Sequence, residues 1–151
     1  MKTCTFFGHH DTPDCLKGLV KECIEKLITE HGVEQFYVGH QGQFDAYVRS
    51  ALRQLKLQYP HIRYAVVLAY MPGKAREGMD YSDTMYPEGL EFVPRRFAID
   101  RRNRWMIQRS DYVVHWACHE YRNAMKYVRK AERMGKTVVW LTDAAFWDGP
   151  L

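Results

Sequence analysis

The stretch FYVGHQGQFDAYV, residues 36–48, decides the fold. An apolar run, Phe36 to Val38, stops at Gly39. After the two amides Gln41 and Gln43 around Gly42, apolar residues resume at Phe44, Val48, Ala51, Leu52 and Leu55 with helical spacing. A short buried run that breaks at a glycine turn and re-enters as an amphipathic helix is a strand-to-helix junction of a parallel sheet. Such junctions place backbone N–H groups and a helix N-terminus outside the carboxyl end of a strand, where open α/β sheets take ligands.

Working outward, the same switch of period repeats. TCTFFG (residues 3–8) reads as a buried first strand ending on Gly8, followed by Thr12 as N-cap and Pro13 at the first helical position. Leu16, Leu19, Val20, Cys23, Ile24, Leu27 and Ile28 form one helical stripe that His31 and Gly32 terminate. RYAVVLAY (63–70) is a third strand, DYVVHW (111–116) a fourth and TVVWL (137–141) a fifth. A polar helix runs from about Asp100 to Arg109, another from about Tyr121 to Met134, and AAFWDGPL (144–151) is a docked tail. Residues 71–98 hold three prolines, three glycines and two tyrosines and are too long for an ordinary connection, so they form a lid or interface loop. The expectation is a single Rossmann-like α/β domain over residues 1–151, with a mainly parallel sheet of about five strands and helices on both faces.

Composition narrows the function classes. With 151 residues and 46% hydrophobic content the chain can bury a core without disulfides or metal. A net charge of +4 permits anionic ligands but lacks the basic density of a nucleic-acid coat. Cys4, Cys15, Cys23 and Cys118 show no CxxC spacing and no leader-like segment opens the sequence, which fits free thiols in a cytoplasmic protein. No apolar run approaches the roughly eighteen residues of a membrane span. His9, His10, His40, His115 and His119 fall at strand ends, yet without the ligand spacings of a zinc site, so neither a metal nor another cofactor is expected. Cys118 beside His119 has no base-orienting partner that would make it a nucleophile. Arg95, Arg96, Arg101, Arg102, Arg104 and Arg109 read as a solvated helix face with one or two ligand-facing members. Trp105, Trp116 and Trp140 read as core or interface.

MKTCTFFGHHDTP, FYVGHQGQFDAYV, YAVVLAYMPG, YSDTMYPEG and RNRWMIQRSDYVV together resemble bacterial proteins of the SLOG superfamily, relatives of the lonely-guy phosphoribohydrolases and of the DNA-processing protein A fold. The resemblance spans nearly the whole chain. It implies a Rossmann-like sheet with a nucleotide or nucleotide-derived ligand at the strand ends. The superfamily's GHR falls on Gly8, His9 and His10, and its GNQGQFD on the run from Gly39 to Asp45, with His40 for asparagine and with Gln41, Gly42, Phe44 and Asp45 retained. Histidine in place of arginine and asparagine makes the site titratable, so anion binding is expected to strengthen as pH falls through about 6.5. The lonely-guy arginine corresponds to Arg102, with Asn103 and Met106 following, which makes Arg102 the best catalytic candidate. Where relatives carry a glycine pair that cradles phosphate, this chain has Arg122 and Asn123, and Ala124 to Tyr127 hold no catalytic glutamate; Glu120 lies upstream.

The resemblance therefore implies a binder of a small nucleotide-derived molecule more than an enzyme. An N-glycosidic nucleoside-monophosphate hydrolase, with Arg102 and either Asp45 or Glu120 as acid/base, is the alternative, and a nucleic-acid interaction protein the second alternative. Homo-oligomerisation is expected because the long aromatic loop would otherwise expose apolar surface.

Overall fold

A computed structural model of the chain describes residues 1–71, 82–117 and 122–149. Its centre is a parallel sheet. Strand β1 (Lys2–Gly8) pairs with β2 (Val33–Val38) on one side and β5 (Tyr112–Trp116) on the other; β3 (Arg63–Val67) and β4 (Thr84–Met85) extend the sheet beyond β2, and β6 (Thr137–Trp140) beyond β5. The order is β4-β3-β2-β1-β5-β6. The chain winds outward from β1 to β4 and then returns to the other flank of β1, so the switch in direction lies between β1 and β5. At such a point the two flanking connections diverge and leave a crevice above the carboxyl ends of the strands.

Helices cover both faces. Helices α1 (Lys17–Thr29) and α2 (Gly42–Gln58) and the short α5 (Ala144–Trp147) pack on one face. There Ile24, Leu27, Phe44, Val48, Leu52, Leu55 and Trp147 close over Cys4, Phe6, Phe36 and Val114. Helices α3 (Ala98–Gln108) and α4 (Arg122–Arg133) cover the other, with Met106, Ile107, Tyr127 and Ala131 against Phe7, Val67 and Val113. Alternation along β1 explains the division: Cys4 and Phe6 face one core and Phe7 the other, as a period of two requires.

Three details differ from the sequence reading. Thr12 does not cap a helix. Its hydroxyl donates to the His9 carbonyl at 2.8 Å, closing the β1 turn, and a 3-10 turn over Asp14–Leu16 precedes α1. The sheet has six strands, because the 71–98 stretch supplies β4. The Val66 N–H donates to the Asp83 carbonyl and the Leu68 N–H to that of Met85, while the Asp83 carboxylate accepts from Arg53 and Tyr64. The rest of that stretch, expected as a lid or interface loop over residues 71–98, holds 3-10 turns at Leu90–Phe92 and Arg95–Phe97 leading into α3; residues 72–81 lie outside the described residues. No helix among the described residues is long and apolar enough to cross a membrane.

Candidate functional site

A cavity of about 620 Å³ opens above the switch point, within the range typical of small-molecule sites. Eight of the ligand-binding candidates read from sequence line it: Gly8, His9 and His10 from the end of β1, Gln41 and Asp45 from the start of α2, Arg102 and Asn103 from α3, and Asn123 from α4. Gly39 stands against Asp45 and Arg102 of this wall and Gly42 against His10, while His40 does not line the cavity. Arg122 is the first residue of α4, its side chain lying outside the description, as do Cys118, His119 and Glu120.

The polar heart of the cavity is Arg102. On α3 it falls on the same stripe as Ala98, Met106 and Ile107, so the helix aims it inward, and it is only 2% exposed. Nη1 donates to the Val67 carbonyl at 2.8 Å and Nε to Asn103 Oδ1 at 2.7 Å. Among the described residues no carboxylate comes within ion-pairing distance of it. Burial pulls its pKa down while Asp45 pulls the other way. A guanidinium taken out of water without an ion pair is costly unless another anion meets it.

Asp45 is the second charged group. Its carboxylate accepts from the Gln41 N–H at 3.1 Å and so caps the first turn of α2. Burial pushes its pKa up to about 6, against the opposing pull of that N–H and of Arg102 and Arg49. Asp45 and Arg102 flank Gly39: a Cβ there would lie 2.8 Å from the carboxylate and 2.9 Å from Nη1. Glycine at 39 lets the two opposite charges approach one backbone position.

The other two turn glycines accommodate protein. A side chain at Gly8 would collide with the Phe44 ring. At Gly42, where φ is +82°, it would sit 2.7 Å from the His10 Cα. The Gln43 N–H donates to the His10 carbonyl at 2.8 Å. At this helix N-terminus, where backbone N–H groups were expected to face an anion, those of Gln41 and Gln43 are engaged within the protein.

The histidines divide. His10, which lines the cavity, and His40, which does not, are both exposed, and partial desolvation together with Arg102 and Arg49 lowers the His40 pKa. His9 is buried and lowered chiefly by desolvation. His115, beside it on β5, is pushed down to about 4 by burial and by His9, and packs edge-on against Trp140 at 5.0 Å. The described residues contain no group of three or more metal-ligating side chains.

Sequence reasoning missed a network on the far wall. The Tyr127 hydroxyl, its pKa raised to about 12 mainly by burial, donates to Asp100 Oδ1 at 2.9 Å, and Asp100 also pairs with Arg104 and Lys126. Tyr127 stacks on Phe7 at 5.4 Å, so the cavity has an apolar floor of Phe7, Met106 and Ile99 beneath a polar rim. The available signal was the stripe of α4, where Tyr127 adjoins buried Val128 and precedes Ala131 by one turn. Trp105, Trp116 and Trp140 are half-buried; Trp105 lies edge-on to Tyr37 and Trp116 against Trp140.

No protein-family model matches the chain, and no curated protein matches it. Among solved structures it is similar to the X-ray structure of DNA processing protein A from Streptococcus pneumoniae, with a TM-score of 0.67 and 16% identity over 93% of this chain and 50% of that one. The chain thus spans half the length of that protein, and at this identity the likeness concerns the fold: the chain has a Rossmann-like parallel-sheet fold of the DNA processing protein A type.

Proposed function

We propose that the strand-end cavity binds a small nucleotide or nucleotide-derived anion. The observation that carries this reading is Arg102: 2% exposed, engaged by a carbonyl and an amide, and without a carboxylate partner among the described residues while lining a cavity of about 620 Å³. A phosphate there would supply the missing negative charge through charge-assisted hydrogen bonds. The apolar floor of Phe7, Met106 and Ile99 suits the flat face of a base. Mass spectrometry of small molecules released from the purified protein tests the ligand class directly. Calorimetry with the released nucleotide tests the residue: Arg102→Ala should lose about 1.5 to 3 kcal/mol, roughly ten- to 150-fold in affinity. Because Arg102 also holds the Val67 carbonyl, circular dichroism must show the variant folded, and Arg102→Lys should retain part of the affinity. Unchanged affinity in a folded Arg102→Ala protein excludes this site.

A second reading, N-glycosidic hydrolysis of a nucleoside monophosphate, draws on Asp45. A carboxyl with a pKa near 6 that lines the cavity is suited to donate a proton to a departing base, with Arg102 stabilising developing charge. It is the weaker reading, since Asp45 already caps α2 and Ala124 to Tyr127 hold no counterpart of the lonely-guy glutamate. Release of free base from a nucleoside monophosphate is therefore expected to be absent, or slower by about 10² to 10⁴ than with a complete acid–base pair. Chromatographic detection of adenine from AMP at enzyme-like rates would promote this reading.

A further inference from the structure

The guanidinium that faces the cavity is steered by an amide. Arg102 Nε donates to Asn103 Oδ1 at 2.7 Å, and among the described residues no carboxylate pairs with it. The two residues are neighbours on α3, and successive side chains on a helix diverge by about 100°, so such a pair meets only where one side chain is drawn across. The group that draws Asn103 across comes from α4. Its amide nitrogen donates to the Tyr127 hydroxyl oxygen, and that hydroxyl donates in turn to Asp100 Oδ1 at 2.9 Å. Asp100 is met by Lys126 on Oδ1 at 3.1 Å and by Arg104 on Oδ2 at 2.9 Å.

Each group in this chain has one role open to it. Asn103 must turn its oxygen to the guanidinium and its nitrogen to the phenol, since the reverse sets N–H groups against N–H groups. Tyr127 has a single proton and gives it to Asp100, which leaves its oxygen as the acceptor for Asn103. The charge of Asp100 is met by two cations of the α3–α4 surface. On the other side of Arg102, Nη1 is held by the Val67 carbonyl at 2.8 Å. With Nε and Nη1 both engaged, the guanidinium plane is fixed before a ligand arrives, while Nη2 has no hydrogen-bond partner among the described residues. Fixing a binding group in advance lowers the cost of association. A carboxylate at position 103 would orient the fork equally well but would consume its charge.

We infer that Asn103, held by Tyr127 and Asp100, is the positioning residue of the strand-end cavity: it sets the plane of Arg102 and leaves the charge for an anionic ligand, a role that rests on the cavity being an anion site.

Calorimetry with AMP and with inorganic phosphate tests this role. Tyr127→Phe keeps the ring stacked on Phe7 and removes only the hydroxyl, and affinity for both anions should fall about three- to tenfold. In an Arg102→Lys background the same change should cost less than about twofold, because an ammonium has no plane to orient. A merely structural role for Tyr127 would cost the same in both backgrounds. Asn103→Asp is nearly isosteric and keeps an oxygen against Nε, yet it should weaken both anions at least about tenfold by pairing with Arg102. Circular dichroism checks that each variant is folded. Undiminished affinity in folded Tyr127→Phe, an equal loss in the Arg102→Lys background, or an Asn103→Asp protein that binds as tightly as wild type overturns the positioning role, while a loss in Arg102→Ala still upholds the anion site. Binding that is absent in wild type, or unchanged in Arg102→Ala, removes the anion site itself and the positioning role with it.

Discussion

Asp45 occupies a position that costs the protein stability at neutral pH. In the unfolded chain it titrates near 3.8; in the fold, burial raises it to about 6. The folded state therefore holds the proton more tightly, and the stabilising effect is complete below the unfolded value and is lost as pH rises through about 6. Asp45→Asn keeps an oxygen to accept from the Gln41 N–H and removes the buried charge. It should raise stability by about 1 to 3 kcal/mol at pH 7.5, and the gain should vanish near pH 4. Urea denaturation of both proteins at the two pH values checks this; an equal or lower midpoint for the variant at pH 7.5 would show that the carboxylate is not desolvated. The same group bears on ligand binding, because protonating Asp45 removes a negative charge from beside Arg102. Anion affinity should thus increase as pH falls through about 6, somewhat below the ordinary histidine range, since burial and the neighbouring arginines also depress His40. In Asp45→Asn most of that dependence should disappear, which calorimetry at pH 5.5 and 8 with a bound nucleotide would reveal.

At the scale of elements, the β2–α2 turn is held by contacts that its own sequence does not announce. Gly42 and Gly32 both have positive φ, +82° and +68°, but a side chain at Gly32 would meet open space while one at Gly42 would strike the His10 backbone. Gly32→Ala should therefore cost about 1 kcal/mol from the left-handed backbone alone, and Gly42→Ala about 2 to 4 kcal/mol because the β1 and β2 turns must also separate. Equal losses in chemical denaturation would mean that the two turns yield freely. The contrast also shows what was legible. Strands, the stripes of α1 and α2 and the place of the glycine turns follow from local period, so their reading survives. What fills the space beside each glycine comes from elsewhere in the chain: Phe44 at Gly8, His10 at Gly42, Arg102 at Gly39. No local pattern encodes that. The two-residue β4 escaped for a different reason, since its pairing rests on Asp83, Arg53 and Tyr64 and not on an apolar run. Arg102 was singled out through family resemblance, although its place on the α3 stripe with Ala98 and Met106 would have flagged a buried cation on physical grounds.

For the whole molecule, the question is whether the arginines act together on a polyanion or separately. The structure divides the sequence cluster: Arg102 turns into the cavity, while Arg95, Arg96, Arg101, Arg104 and Arg109 are exposed, Arg96 at the cavity's edge. Of the exposed five, Arg104 is paired with Asp100, and Arg95, Arg96 and Arg109 lie over aromatic rings. With a net charge of only +4, the long-range field that gathers nucleic acid is modest. Duplex DNA is the polyanion that competes with a small nucleotide as a ligand for exposed arginines, and salt separates the two. If duplex DNA is held by about five exposed arginines, its affinity should fall roughly 10² to 10³-fold between 50 and 200 mM salt, because each neutralised phosphate releases condensed counterions. A nucleotide in the cavity meets a guanidinium already removed from solvent, where screening is weak, and should lose far less over the same interval. Fluorescence anisotropy of a labelled duplex and calorimetry of the nucleotide, run at both salt concentrations, give the two slopes. Salt-resistant and sequence-selective binding of the duplex, retained in Arg102→Ala, would establish nucleic acid as the ligand and leave the cavity without a role in binding it.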